Sequence, residues 1–404
     1  MPLISILGIS GGSTTPDFNP ASLFSGGEDG VWFDFNDRGS LFTADPQDRA
    51  AGSFSPAAGT KVLGVIDKSR LGSHTDVATW YSEASELATN ADISSDTGWT
   101  TAGAVAYNGG EAGYEWDGST GTQEIYQSVT TANGDWFIAE IVTGTVTGGS
   151  ARIVIGTSGT TADESTFDID TGSTTYHFMY PSTTAGSTFR IQSNDSAGNY
   201  FDGIIVSASI KALPGNTHLF SESDGPTLRQ DGNSIYYLEF DGVNDILHTG
   251  TGRTTVMSSD SIWCFAAAGN NDGNLATGIS YGAGVNTRIL WGMTTTGGYG
   301  DFTPALTYDN LARVWEHDAS TTAVNIYEFH MDDTLFEITV RMNDVEELAA
   351  TTVDLGQNSN GTLEFGDAIG YNNQLSCDIY GLIIYEGSTF DSDVYDWTQT
   401  EFSL

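Results

Sequence analysis

The sequence predicts an all-β protein made of two jelly-roll β-sandwiches, preceded by an extended N-terminal anchor and a lead-in segment. Three observations carry that expectation. The chain is rich in turn formers, with 49 glycines, and aromatics make up 11% of its 404 residues. Helical runs of Ala, Leu, Glu and Lys are nearly absent. Short aromatic and β-branched stretches recur at intervals of roughly ten residues between Gly, Asn, Asp, Ser and Thr clusters, a spacing that suits sandwiches.

The length exceeds that of one ordinary domain. Residues 1–20 open with "MPLISILGISGGS", whose apolar run Leu3–Ile9 suits either a peptide that adds to a partner's sheet or an ordinary first strand. No basic residue precedes the run and it is soon interrupted, which does not fit an export signal. No stretch approaches the roughly 20 apolar residues of a membrane span. Residues 21–77 hold short apolar pieces, such as Val31-Trp32-Phe33 and residues 62–66, among turns. They read as an irregular lead-in that packs on the C-terminal domain.

Residues 78–213 read as an inserted jelly roll with strands near 111–116, 124–129, 136–143, 151–156, 174–180, 188–192 and 203–213. Residues 214–404 read as a second, with strands near 234–240, 261–268, 287–292, 324–330, 334–342, 362–366 and 378–386. "FHMDDTLFEITV" reads as a hairpin turned at Asp332-Asp333, and Asn343-Asp344 marks another tight turn. The closing "STFDSDVYDWTQTEFSL" reads as a short helix capped by Asp391 or Ser392, with Val394 and Trp397 near one face.

The formal charge is −40, from 53 acids and 13 bases spread over the whole chain. Such a coat keeps a protein soluble and self-repelling. It offers no basic stripe for phosphates, so nucleic acid is not an expected partner. The two cysteines, Cys264 and Cys377, lie in apolar strand-like runs and read as buried free thiols.

Sugar binding asks for aromatic faces to stack on pyranose C–H groups, with carboxylates and amides nearby for hydroxyls. The inserted unit offers Trp99, Tyr107, Tyr114, Trp116, Tyr126 and Trp136. Trp99 stands among small polar residues in "SSDTGWTTAG" and reads as exposed. A sandwich core needs buried aromatics too, and each of these residues could serve there instead. Hard oxygens for calcium gather at Asp241, Asn244 and Asp245, and again at Asp163, Glu164, Asp168 and Asp170. Turn chemistry also accounts for both groups. No catalytic pattern is complete. Glu115 and Asp117 begin an acidic triad that breaks at Thr120, and Glu222 and Asp224 begin another that breaks at Thr227. The protein is therefore expected not to be an enzyme.

"YYLEFDGVNDIL", "EITVRMNDVEEL" and the closing "FGDAIGYNNQLSCDIYGLIIYEGSTFDSDVYDWTQTEFSL" together resemble a concanavalin-like (laminin-G-like) jelly roll, with Asp241-Gly242 as its first hairpin turn. "LFSGGEDGVWFDFNDRGSLF…VLGVIDKSRLGSH" is similar to a lead-in found before such domains in tailed-bacteriophage virion proteins. The inserted unit, from "ELATNADISSDTGWT" to "YFDGIIVSASIKAL", resembles carbohydrate-binding-module-like jelly rolls. The resemblance implies a fibre, spike or decoration subunit, a homotrimer assembled in the host cytoplasm into the virion. Its N-terminal segment would meet other virion proteins, and its jelly rolls would meet host-surface polysaccharide. Rival readings are a purely structural decoration protein, a polysaccharide depolymerase and an exported lectin.

Overall fold

A computed structural model describes residues 18–44, 52–132, 134–156, 163–168, 175–181, 186–193, 200–215, 217–221, 224–249, 255–256, 260–269, 277–284, 287–293, 304–308, 312–316, 323–332, 337–352, 360–366 and 376–404. It is all-β, as expected, with four antiparallel sheets and two short α-helices among the described residues.

The described strands between residues 100 and 213 form two five-stranded sheets. The front sheet runs in the order Asp163–Asp168, Ser150–Gly156, Gly186–Ser193, Glu124–Thr131, Thr100–Ala102. The back sheet runs Thr175–Pro181, Trp136–Gly148, Asp202–Leu213, Gly113–Asp117, Val105–Asn108. Alternation decides what each face does. On the strand from Trp136, the side chains of Phe137, Ala139 and Ile141 enter the core between the two sheets. Trp136 and Ile138, on the opposite face, belong to a separate apolar cluster outside the sandwich.

The C-terminal region forms two larger sheets. One runs Thr227–Gln230, Tyr236–Asp241, Ser376–Glu386, Asp260–Gly269, Asn325–Asp332, Glu337–Met342, Val345–Thr352. The other has ten strands, among them Leu219–Phe220, Leu247–His248, Asn360–Phe365, Thr277–Gly284 and Thr287–Met293. Strand Asp260–Gly269 is buried almost throughout because both of its faces are covered. Trp263, Phe265 and Ala267 face the other sheet, while Ile262, Cys264 and Ala266 lie in the cluster that holds the C-terminal helix. That helix, α2 (Ser392–Glu401), is capped as expected by Asp391, whose side chain accepts from the Asp393 N–H at 2.9 Å. Gly381 has no room for a side chain. A Cβ there would lie 2.7 Å from the Phe402 ring and 2.8 Å from the Phe33 carbonyl oxygen.

The lead-in is more regular than its composition suggests. Strand Gly30–Asp34 pairs with Gly381–Tyr385 of the long strand Ser376–Glu386, while Leu238–Asp241 pairs with Ser376–Ile379 of the same strand. The lead-in thus completes an edge of the first large sheet. Leu41–Phe42 and Gly64–Val65 extend the ten-stranded sheet. A helix the sequence did not signal, α1 (Val77–Glu83), follows, capped by Asp76. Seven residues carry too little periodicity to mark it.

Asn343-Asp344 turns a hairpin, with both residues at positive φ (52° and 60°) and Met342 opposite Val345. Asp241-Gly242 does not. Gly242 has φ +71°, but the following strand, Leu247–His248, pairs in the ten-stranded sheet. The expected hairpin is corrected to a crossing between sheets. Cys264 and Cys377 are buried free thiols. No helix among the described residues is long and apolar enough to cross a membrane.

The cluster outside the insert's core joins the parts. Phe42, Ile66, Leu71, Val77 and Trp80 from the lead-in and α1 meet Trp136, Ile138, Met179 and Leu213 on the back sheet, together with Phe220. Trp136 lies 5.9 Å from Phe220 and 5.2 Å from His218 between ring centres.

Candidate glycan-binding face

Most of the aromatics nominated from the sequence are buried. Trp99, expected to be exposed, is 8% exposed. Its indole N–H donates to the Asn90 carbonyl at 3.1 Å and its ring lies 5.7 Å from Phe189. The polar neighbours in sequence belong to a loop that folds Trp99 over the edge of the core. Tyr114 is fully buried, donates to Asp96 at 3.3 Å, and burial pushes its phenol up to about 12. Trp116 donates to the Gln123 carbonyl at 3.2 Å and packs on Phe201. Trp136 fills the joint described above. None of these four offers a free ring face. Tyr107, half-buried, leans on Tyr114.

Tyr126 is different. On strand Glu124–Thr131, Ile125 and Val129 enter the core, so Glu124, Tyr126 and Ser128 lie on the outer face of the front sheet. On Gly186–Ser193, Phe189 and Ile191 point inward, which places Arg190 and Gln192 outward. On Ser150–Gly156, Ala151 and Ile153 point inward, which places Arg152 and Val154 outward.

Register then assembles the site. Arg190 lies opposite Tyr126 on one side and Val154 on the other, and Gln192 lies between Glu124 and Arg152. Thr100, exposed, lies opposite Tyr126 on the next strand. The Arg190 guanidinium sits 5.4 Å from the centre of the Tyr126 ring, and its Nη1 is 3.1 Å from Glu124 Oε2. The Arg152 Nε donates to Gln192 Oε1 at 3.0 Å. Glu124 and Gln192 are buried at 7% and 8% exposure, whereas Tyr126, Arg152 and Arg190 are half-buried. The buried pair therefore holds the two arginines in place beside the half-buried Tyr126 ring, with Arg190 over it. The Arg190 Nε has no hydrogen-bond partner among the described residues. Guanidinium N–H donors, a carboxylate and an amide beside a phenol ring can stack on a sugar and bond its hydroxyls. The arginines carried no signal in the sequence, because only strand register sets them beside Tyr126.

The carboxylates nominated for calcium are engaged. Asp241 accepts from the Val243 and Asn244 N–H groups at 2.8 and 3.2 Å. Asp245, 1% exposed, accepts from the Asp241 N–H at 3.0 Å and from Lys61 Nζ at 2.6 Å. Burial holds the Asp245 carboxyl above the usual carboxylate range, against the pull of Lys61. Asn244 donates to Asp224 at 2.5 Å. An ammonium from the lead-in thus stands where a cation would be drawn. Among the described residues no group of three or more His, Cys, Asp or Glu side chains could hold a metal. Of the second group, the backbone of Asp163–Asp168 forms the edge strand, and Asp170 and all of these side chains lie outside the described residues.

No protein-family model matches the chain, and no curated protein does. Solved structures share parts of its architecture. Domain 4 of AbnA, a GH43 extracellular arabinanase from Geobacillus stearothermophilus solved with arabinotriose, is 18% identical over 44% of this chain and 84% of its own, with a TM-score of 0.33. The CBM40 of Ruminococcus gnavus IT-sialidase, bound to α2,3-sialyllactose, is 10% identical over 34% of this chain and 82% of its own, at 0.27. Peanut lectin is 12% identical over 44% of this chain and 97% of its own, also at 0.27. Likeness this slight says nothing about what the present chain binds.

Proposed function

We propose that the chain is a carbohydrate-binding β-sandwich protein, and that a glycan lies across the outer face of the front sheet. The observation that supports this best is Tyr126, the one nominated aromatic on the outer face of the front sheet, half-buried and set beside Arg190 and Arg152. The alternation of positive, negative and amide groups suits neutral hydroxyls, which both donate and accept. Binding occurs without turnover. The chain's resemblance to virion proteins extends the proposal to a fibre, spike or decoration subunit of a tailed phage, homotrimeric and docked through residues 1–20, which displays this face to host-surface polysaccharide. Affinity electrophoresis of the full chain in gels cast with neutral and acidic polysaccharides tests the binding; free migration in every gel would contradict it.

The burial of Trp99, Tyr114, Trp116 and Trp136 favours one other reading, a purely structural decoration subunit whose sandwich aromatics serve only its cores. Equal migration with and without polysaccharide would select it.

A further inference from the structure

A cavity of about 190 Å³ opens beside the joint between the lead-in and the insert, away from the front sheet. Three separate pieces of chain wall it. Phe54 and Ser55 come from the lead-in, Val77, Ala78 and Tyr81 from α1, and Ile138, Glu140 and His177 from the back sheet. Val77 and Ile138 belong to the apolar cluster of the joint. Phe54 meets the His177 ring edge-on at 5.9 Å.

The polar end of the cavity is Glu140. Its Oε2 lies 3.0 Å from His177 Nε2, and that hydrogen bond holds its carboxyl below the usual range, so the group is ionised. Its other oxygen has no hydrogen-bond partner among the described residues. Two further charges stand close. Lys211, on the strand beside Glu140, donates from Nζ to the Tyr81 carbonyl and sits 4.2 Å above the Tyr81 ring. Glu86 accepts from Ser209 Oγ at 2.5 Å and from the Ile210 N–H at 2.8 Å. With the His177 ring neutral, one ammonium between two carboxylates leaves a negative charge, within a chain whose formal charge is −40.

We infer that this cavity is a binding site for a small organic cation, an amine carried on a single ring or short chain. The apolar floor takes the carbon body, the Phe54 ring favours a cation over a neutral group, and Glu140 accepts from the ammonium. The volume is below the ~300 Å³ at which drug-sized pockets begin, so an extended ligand is excluded. Because the walls come from three pieces of chain, occupancy ties the joint together, and a ligand that binds only the assembled form raises the melting temperature.

The test is titration of the full chain with benzylamine, benzyl alcohol and benzoate, followed by calorimetry and by thermal melting. Benzylamine is expected to bind and to raise the melting temperature, benzyl alcohol to bind about tenfold or more weakly, and benzoate not to bind. Glu140→Gln should reduce benzylamine to the level of benzyl alcohol, with unchanged circular dichroism. Ala78→Phe, at an exposed position, should fill the cavity and abolish both. Tyr126→Ala should leave all three titrations unchanged, which separates this site from the glycan-binding face. Equal affinity for the amine and the alcohol, retention of the amine preference in Glu140→Gln, or no binding by any of the three would overturn the inference.

Discussion

Lys68 Nζ lies 2.9 Å from Asp34 Oδ2, with both side chains shut away from water at 2% and 6% exposure. Asp37 joins the pair at 3.1 Å, and the ammonium rests 4.3 Å above the Trp32 ring. This cation joins the two halves of the lead-in motif, "VWFDFNDRGS" and "VIDKSR", which are also linked by the Trp32 N–H donated to Asp67 at 2.9 Å and the Ile66 N–H donated to the Ser40 carbonyl at 2.8 Å. Burial raises the Asp37 carboxyl, while the two carboxylates outweigh burial at Lys68 and raise its ammonium. Lys68→Met leaves the buried Asp34 and the half-buried Asp37 carboxylates without a counter-charge, and a loss of about 3–5 kcal/mol in urea unfolding is expected. Adding Asp34→Asn and Asp37→Asn to that variant should restore much of the loss. No recovery would show that the ion group is not the cause.

Trp136 and Trp99 are structural in this protein. Each truncation to alanine is expected to cost about 3–5 kcal/mol. The two should differ in where they act. Trp99→Ala opens the core of the insert, whereas Trp136→Ala loosens its joint with the lead-in and Phe220. Hydrogen exchange should therefore quicken across residues 62–80 in Trp136→Ala and not in Trp99→Ala. Identical exchange patterns would contradict this division.

These two residues also mark how far the sequence could be read. Alternation and turn chemistry located about half of the described strands, the longer ones among them, and α2, because those signals are local. Burial is not local. The neighbours of Trp99 in sequence are small and polar, yet Phe189 and the Asn90 carbonyl enclose it from 90 and 9 positions away. Strand Trp136–Gly148 alternates well, but nothing in it shows that its outer face is covered by α1 and Phe220. The lead-in strand Gly30–Asp34 reads as a fragment because its partner, Gly381–Tyr385, lies at the other end of the chain. Tyr126 was legible as a candidate; Arg190 and Arg152 were not, since only pairing places them beside it.

Glu328 makes stability depend on pH. It is 1% exposed, Oε2 has no hydrogen-bond partner among the described residues, and it lies opposite Cys264, whose Sγ is 3.4 Å from Thr398 of α2. Burial pushes its carboxyl from 4.5 up to about 7, opposed by Arg341 and reinforced by Asp344. The folded chain therefore keeps a proton that the unfolded chain releases. Stability falls as pH rises from about 4.5 to about 7 and is level above, by an amount on the order of 3 kcal/mol. Glu328→Gln should be more stable than the parent at pH 8 and equal to it near pH 4.5. A difference independent of pH would show that Glu328 is already ionised in the fold.

Calcium should not raise the melting temperature of the parent chain through the Asp241-Gly242 crossing, because Lys61 already neutralises Asp245 and lies 3.4 Å from Asp224. Lys61→Ala leaves those two carboxylates beside the Asn244 amide, and calcium at millimolar concentration is expected to stabilise that variant. A larger calcium shift in the parent than in the variant would reverse this assignment.

The proposed function rests on the front sheet, and binding isotherms on whichever polysaccharide retards the full chain test it most directly. Tyr126→Ala and Arg190→Ala are expected to weaken binding by about tenfold or more, roughly 1.4 kcal/mol each. Val243→Ala, an exposed change in the C-terminal region, should leave affinity unaltered, and all three variants should keep the parent's circular dichroism. Full affinity in both Tyr126→Ala and Arg190→Ala, with the fold intact, would place the glycan elsewhere and contradict the proposal.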